Sequence, residues 1–503
     1  MRWSDLLLQW SDRYRRWAIG LLLLVYLAGF NGQWRPEPDS ALYLALARNV
    51  ADGQGYTYHD KPHHLAYPGW PYLIAGAIKV FGHEIFIAHV LVFLMGLASL
   101  GLMYRLMLLH AGRSTAVLMT VGLGISFTFY RYCFEVRSDM PFMLGVMGVL
   151  AGYEGILTPR VPGQDAPRRH RLDWLLLGGG MLLALATRPT AWPLLAALVL
   201  AVGWAIVRGR LGRKFAVALI VIAVGVAAFV LCDPRRTGGG ADDYENVLLK
   251  AVSVDSVKQN FAELMDPMAS EAMFGLDFGK AARVGVVSLQ TIGSMAALLV
   301  GFLAFRERAL WGLWFLLTVL MMIMVLARDR YFLPLLPVMI YGWWIMIRQV
   351  NLRLPLRSGN VIFVLLFAVG AVGNSAKIAG LMFEQRHRNV LTVWRDGRYE
   401  SMYRVAHMID AHVPPDAWVI GPKKFSRILS FLSHRNVTEP RDIKGQERTH
   451  EKMYLLDPAE LDPDSPYLLP GIFTIGPPIK SLKGPYDAAP WTLHAITLKD
   501  SAR

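Results

Sequence analysis

The chain has 503 residues, 54% of them hydrophobic and only 18% charged, with a mean hydropathy of +0.35. A soluble globular chain carries about 25% charged residues, so this composition excludes an ordinary soluble enzyme and points to an integral membrane protein. The net charge of +14 is spread as short basic clusters between apolar runs, the pattern of cytoplasmic loops, which argues against nucleic acid as a partner.

From the N-terminus, Trp3, Leu6, Leu7 and Trp10 recur at helical spacing, as in a short helix lying in the cytoplasmic interface. Arg13, Arg15 and Arg16 then precede the apolar run from Trp17 to Phe30, which lacks a small-x-small cleavage site. It reads as an uncleaved first membrane helix. A span needs roughly 20 apolar residues. Eleven candidate spans follow one another, near 17–32, 85–108, 114–132, 139–157, 173–187, 190–207, 214–232, 283–305, 309–327, 331–348 and 359–377.

The basic clusters orient them. Arg160, Arg168, Arg169 and Arg171 follow the fourth span, and Arg208, Arg210, Arg213 and Lys214 the sixth. Arg306 and Arg308 follow the eighth, and Arg348, Arg353 and Arg357 the tenth. With the N-terminal arginines, these loops are expected in the cytoplasm. The stretch 173–207 has basic clusters on both sides, so it crosses an even number of times. Its helix-breaking middle, Thr187-Arg188-Pro189-Thr190, predicts a hairpin whose turn carries Arg188 at membrane depth, facing protein or a cavity.

Three outer segments exceed the length needed to join bundled helices: 33–84, 233–282 and the C-terminal stretch. In the first, Ser40 to Ala51 is predicted to be a helix stopped by Gly53 and Gly55, and residues 70–81 form an apolar patch too short to span. Residues 378–503 are punctuated by Pro414-Pro415, Asp457-Pro458 and Pro477-Pro478. Strands are predicted at Ala417–Ile420 and Gly471–Ile475 and a helix at Phe425–Ser433. The expected architecture is therefore an all-α polytopic domain, 1–377, with about eleven spans, the N-terminus inside and the C-terminus outside. Outer-face juxtamembrane helices and a small soluble C-terminal α+β domain, 378–503, complete it. Cys133 and Cys232 are the only cysteines, so no disulfide framework holds the chain.

The outer-side charges collect near span ends: Asp39, Lys61, His63 and His64; Arg131, Glu135, Arg137 and Asp139; Arg188; and Arg328, Asp329 and Arg330. A few carboxylates with several arginines, and no Ser/His/Asp or Cys/His order, fit neither a protease nor a thiol enzyme. They fit recognition of a phosphate beside a reacting hydroxyl, because guanidinium forks bind phosphate oxygens. Simpler roles stand beside these. Asp39 precedes a helix and would serve as its N-cap. Glu135, Arg137 and Asp139 would form a plain ion-pair cluster, and Arg188 and Arg330 would be snorkelling anchors. His63 and His64 lack a spaced third metal ligand, and Trp343 and Trp344 suit the membrane interface.

Asp39 after the first span, Ala66-Tyr67-Pro68-Gly69-Trp70-Pro71, Glu135-x-Arg137-x-Asp139-x-Pro141, Thr187-Arg188-Pro189 and Arg330-Tyr331-Phe332-Leu333-Pro334 together resemble one family. It is the GT-C class of glycosyltransferases that use polyprenyl-phosphate sugars, which includes protein O-mannosyltransferases and the lipid A aminoarabinose transferase. The resemblance covers roughly residues 1–350. Relatives often carry Asp-Glu in the first loop, where this chain has Asp39-Ser40. The resemblance implies an enzyme with Asp39 as catalytic base and Lys61, Arg188 and Arg330 at the donor phosphate. His63, His64, Tyr67, Glu135, Arg137, Asp139 and Tyr331 would line the substrates, with a divalent cation as an optional cofactor. It implies a bacterial inner-membrane location, a polyprenyl-phosphate-linked sugar as donor, and a lipid, glycan or protein acceptor. A transporter or flippase is the alternative, for which repeat symmetry and midplane charges are expected; the sequence shows neither. A glycan ligase or polymerase shares the lipid-linked chemistry.

Overall fold

The structure is a computed structural model. It describes residues 3–31, 34, 36–59, 61–82, 84–158, 166–231, 253–272, 283–284, 287–325, 328–353, 358–387, 398–422, 425–438, 452–457, 473–483 and 490–498. Arg160, Cys232, Arg357 and most of the segment 233–282 lie outside the described residues. The chain divides into two compact units: Met1–Phe30, His64–Trp70 and Val90–Gly380 form one, and Asn31–His63, Pro71–His89 and Leu381–Arg503 form the other. The first unit ends at Gly380, and most of the first outer loop groups with the C-terminal residues.

The helical unit is built around α7 (Asp139–Leu157), which is apolar on every side and buried along nearly its whole length to Glu154. A helix of that kind belongs in a core rather than on a surface. Its partner is α8 (Ala166–Thr187). The two backbones approach closely because Gly145, Gly148 and Gly152 face Gly180, Ala184 and Leu177; a Cβ on Gly145 would stand 2.8 Å from the Gly180 carbonyl oxygen. Small residues at such a seam replace the hydrophobic driving force that a lipid environment removes.

α8 turns at residues 188–190 into α9 (Ala191–Val207), as the predicted hairpin requires. α1 (Trp3–Gly29), α4 (Glu84–Leu108), α10 (Arg213–Leu231), α12 (Leu289–Glu307), α13 (Ala309–Met324), α14 (Leu336–Arg353) and α15 (Ser358–His387) occupy the other expected span positions, with α11 (Val254–Ala272) ahead of α12. Among the described residues three helices are long and apolar enough to cross a membrane: Ile85–Leu108, Asp139–Leu157 and Asp329–Gln349. Shorter apolar helices include Arg16–Gly29, Ala191–Val207 and Ala309–Met324. On α1, Leu21, Leu24 and Leu27 remain 62%, 62% and 60% exposed, an apolar face that water would penalise.

Four local expectations are corrected. α1 is one continuous helix, so the separate N-terminal helix is absent. The span 114–132 breaks into α5 (Arg113–Gly124) and α6 (Phe127–Tyr132), because the Ser126 hydroxyl accepts from the Phe129 amide at 3.5 Å and starts a new helix. Arg283–Val284 pairs antiparallel with Val287–Ser288 before α12. The tenth span opens as a 3₁₀ turn, Asp329–Leu335, since Pro334 inside it has no N–H to donate.

The second unit carries a five-stranded sheet in the order β6-β5-β7-β9-β8. β5 (Trp418–Ile420) runs parallel to β6 (Asn436–Thr438) and β7 (Met453–Asp457), whereas β9 (Trp491–Leu498) pairs antiparallel with β7 and with β8 (Phe473–Leu482). Trp418, Ile420, Met453, Leu455 and Ile496 form its core. Pro477 and Pro478 lie within β8, at a shift of register on the sheet edge, where a missing N–H is tolerated. Between β5 and β6 lies α17 (Ser426–Ser433), and α16 (Arg398–His412) precedes β5.

Candidate active site

In the helical unit the loop before α7, the turn between α8 and α9, and the 3₁₀ turn before α14 meet. Arg188 donates to Asp139, a buried ion pair across 49 residues of sequence. Arg137 lies 3.5 Å from the second Asp139 oxygen and donates to Glu135 at 3.3 Å, while Arg131 donates to the other Glu135 oxygen at 2.6 Å. The Arg188 guanidinium sits 4.9 Å from the ring centre of Tyr331, and that of Arg330 sits 5.7 Å from the same ring. The positive charge of Arg330 also acts on Asp139. Burial works against the charged form of Arg137, but Asp139 and Glu135 outweigh it and raise its pKa.

The cluster therefore holds four guanidinium groups, Arg131, Arg137, Arg188 and Arg330, against two carboxylates, Glu135 and Asp139. Two positive charges are left over. Two of the four, Arg188 and Arg330, line a small cavity of about 10 Å³ together with Asp139, Thr190, Trp314 and Tyr331. A surplus of forked donors at a mostly buried site is a standing attraction for an anion. Arg131 and Tyr132 also line a larger, more open cavity of about 490 Å³ bounded by Glu271, Gln290, Arg328, Asp329 and Lys377. There the Glu271 carboxylate accepts from the Thr128 hydroxyl at 2.5 Å.

The Tyr67–Trp70 tract is anchored in the same unit. Tyr67 and Trp70 are buried. A Cβ on Gly69 would strike the backbone of Ala186, two residues before Arg188, so only glycine lets the tract lie against the end of α8. His64 is half-buried in this unit, whereas His63 falls in the other.

In the second unit, Asp39 lies in the first turn of α2 (Pro38–Ala51), and the N-cap is Glu37. The N-cap role expected for Asp39 is thus taken by Glu37, with Pro38 pre-set at the first helical position. Ser40, where relatives often carry Glu, closes the turn: its hydroxyl donates to the Glu37 carbonyl at 2.8 Å and accepts from the Glu37 amide at 3.2 Å and from Trp34 Nε1 at 3.0 Å. An Asp39 oxygen accepts from Arg427 at 3.4 Å, and both side chains are about one-third exposed.

Other contacts seat the first loop on the C-terminal residues. Arg48 approaches His434 Nδ1 to 2.8 Å and lies 4.4 Å over the Phe431 ring, against which Trp34 packs edge-on at 5.1 Å. His59 reaches the Ser430 hydroxyl at 3.0 Å, with Trp418 5.4 Å from its ring. Burial, with the charges of His63, Lys61 and Arg427, pushes the His59 pKa down to about 3, so the ring is neutral. Lys61 sits 5.9 Å over Trp418, and His63 packs against Tyr56 and Tyr58.

The sequence pattern drew no attention to Arg427 or His59. Arg427 lies on a predicted helix in a different region, and only the fold brings it to Asp39. Among the described residues no three His, Cys, Asp or Glu side chains gather as a metal group. Glu135 and Asp139 direct their oxygens at guanidinium groups, which does not suit a divalent ion.

No protein-family model matches this sequence, and no curated protein does. Solved structures do. ArnT from Cupriavidus metallidurans bound to undecaprenyl phosphate is 15% identical with a TM-score of 0.57, over 96% of this chain and 98% of that chain. The oligosaccharyltransferase of Archaeoglobus fulgidus, tethered with an acceptor peptide, is 13% identical with a TM-score of 0.55, over 89% of this chain and 70% of that one. The AglB oligosaccharyltransferase from the same organism, in complex with an inhibitory peptide and a dolichol-phosphate, is 12% identical with a TM-score of 0.50, over 84% and 64%. At such identities the likeness establishes the fold, which is the GT-C fold of membrane glycosyltransferases.

Proposed function

We propose that this chain is an inverting membrane glycosyltransferase that moves a sugar from a polyprenyl-phosphate donor to an acceptor hydroxyl at the periplasmic face of a bacterial inner membrane. The observation that carries the proposal is the surplus of two guanidinium charges in the cluster of Arg131, Arg137, Arg188 and Arg330 with Glu135 and Asp139, of which Arg188 and Arg330 reach the small cavity beside Tyr331. Such a surplus suits a phosphate that gains charge as it leaves. Structural neighbours crystallised with undecaprenyl phosphate and dolichol-phosphate support this class of donor. Topology supports it as well. The loops expected outside supply the Asp139, Arg188 and Tyr331 cluster, and the loops expected in the cytoplasm supply a separate group around Glu154 and Arg308. The reading keeps about eleven spans, the N-terminus inside and the C-terminal domain outside.

The chemistry needs fewer groups than glycoside hydrolysis. A polyprenyl phosphate departs without a proton, so the general acid of the usual carboxylate pair is dispensable. The acceptor oxygen attacks the anomeric carbon opposite the phosphate. The carbon–oxygen bond to phosphate breaks, and the acceptor proton passes to a base. Asp39, partly exposed and beside Arg427, is the proposed base. Arg188 and Arg330, with Lys61, are assigned to the phosphate. Tyr67, Glu135, Arg137, Asp139, Tyr331, His63 and His64 are assigned to positioning, and the roomier cavity beside Arg131 and Tyr132 to sugar or acceptor groups. No step is routed through a metal ion.

The test compares cells carrying wild-type protein, Asp39→Asn or Arg188→Ala at matched protein level. Glycans on lipids and proteins are profiled in each. Loss of one sugar modification in both variants is expected, and full modification with Asp39→Asn overturns the assignment of the base.

A further inference from the structure

At the end of the helical unit defined by the last turn of α7, the last turn of α9 and the α12–α13 junction lies a cavity of about 300 Å³. Its floor is fixed. Glu154, only 2% exposed at its side chain, accepts from Arg308 at 3.1 Å and from Trp311 Nε1 at 3.1 Å. Tyr153 ties α7 to α9 by donating to the Ala201 carbonyl at 3.1 Å. His110 stands 3.4 Å from Glu154, but burial and the Arg308 charge push its pKa down to about 3, so it adds no positive charge there.

The walls carry Arg208, Arg210 and Arg306 together with Glu307. Glu307 accepts from Arg348 at 2.8 Å, and Glu154 is engaged with Arg308. Among the described residues no carboxylate stands within ion-pair distance of Arg208, Arg210 or Arg306, although the charge of Arg210 also acts on Glu154. Each helix C-terminus favours a basic residue in its last turn, but three guanidinium groups with no carboxylate of their own around one cavity exceed that need. Arg208 is held 4.7 Å over the Trp204 ring, which fixes its fork at the cavity wall beside an apolar surface.

We infer that this cavity is a second anion site, separate from the Asp139–Arg188 cluster, that takes a phosphate group. Arg208, Arg210 and Arg306 bind the phosphate oxygens, and Trp204 with the apolar ends of α9 and α12 accommodates the adjoining non-polar part. Basic pockets among membrane helices suit anionic phospholipid headgroups in this way, and a soluble phosphate ester presents the same group to the same forks. The inference rests on the cavity and its charges and is independent of the activity proposed above.

The experiment uses the full chain purified in a neutral detergent, with two probes: phosphatidylglycerol, followed by native mass spectrometry, and glycerol 3-phosphate, followed by thermal stability. The pocket variant is Arg208→Gln/Arg210→Gln/Arg306→Gln, which leaves Glu154 and Arg308 in place. A control variant, Arg13→Gln/Arg16→Gln/Arg113→Gln, removes as much charge elsewhere. Binding of either probe, weakened at least tenfold in the pocket variant and retained in the control, is expected. A response to phosphatidylglycerol alone identifies a lipid headgroup, and a response to glycerol 3-phosphate identifies a free phosphate ester. Absence of binding for both probes, equal weakening in both variants, or no weakening in the pocket variant overturns the inference. A pocket variant that unfolds before ligand is added is replaced by Arg306→Gln alone, read by the same criteria.

Discussion

The two ends of the helical unit hold similar residues in different arrangements. At one end four arginines meet Glu135 and Asp139 in a chain of contacts beside a small cavity of about 10 Å³. At the other, four arginines meet Glu154 and Glu307 around about 300 Å³. The first end directs its carboxylates inward at Arg131, Arg137 and Arg188, so three of its guanidinium groups are positioned by a carboxylate. The second anchors only Arg308 in that way and leaves three arginines at the wall. Charge composition alone does not distinguish a positioned site from a receptive one; the number of guanidinium groups bound by a carboxylate does.

The contrast breaks most sharply at Arg188. Arg188→Ala removes the arginine that donates directly to buried Asp139 and leaves it only the more distant Arg137, which is expected to cost up to about 3–5 kcal/mol in stability and to abolish transfer. The double variant Asp139→Leu/Arg188→Met is expected to recover most of the thermal stability without recovering transfer. If activity returned with stability, the pair would be a structural element and not a phosphate site.

At the opposite end Glu154→Gln keeps an acceptor for Trp311 but removes the charge that holds Arg308. A loss of about 1.5–3 kcal/mol is expected, with transfer unchanged once corrected for folded protein. A drop in turnover as large as that of Arg188→Ala would show that the ends are not independent. Gly152→Ala tests the seam that joins them. Its new methyl meets the backbone of α8, and overpacking of that kind costs about 1–3 kcal/mol. Thermal unfolding and both ligand responses are expected to weaken together.

The smallest effect concerns His59 in the second unit. Its pKa is about 3 instead of the ordinary 6.5. Between these values the unfolded chain takes up a proton that the folded chain refuses, so this contribution is full above pH 6.5 and is lost as pH falls toward 3. His59→Gln is expected to flatten the thermal stability profile between pH 7 and 4 relative to wild type; parallel profiles would contradict the assignment.

Much of the helical unit was legible. Apolar runs and basic clusters located the helices, because a lipid-facing helix requires a long apolar sequence and the adjoining loops follow charge. The Arg188 turn was legible for the same reason, since Pro189 forbids a continuous helix there. The early breaks at Ser126 and at Asp329–Leu335 were not, because hydropathy does not register a local cap or a 3₁₀ turn. Ser40 illustrates another limit. Its place after Asp39 looked like a missing acid, yet its hydroxyl closes the turn that starts α2.

The sequence by itself therefore determined the class of molecule, the helical segments and the residue types needed at a phosphate site. Burial and helix periodicity are local properties that composition and spacing record. Only the tertiary structure decided the partners: Arg188 with Asp139, Arg427 with Asp39, Arg308 with Glu154. Those pairs span 49, 388 and 154 residues. An ion pair is chosen by proximity in space and low local dielectric, and no local pattern in the chain encodes which distant charge will arrive.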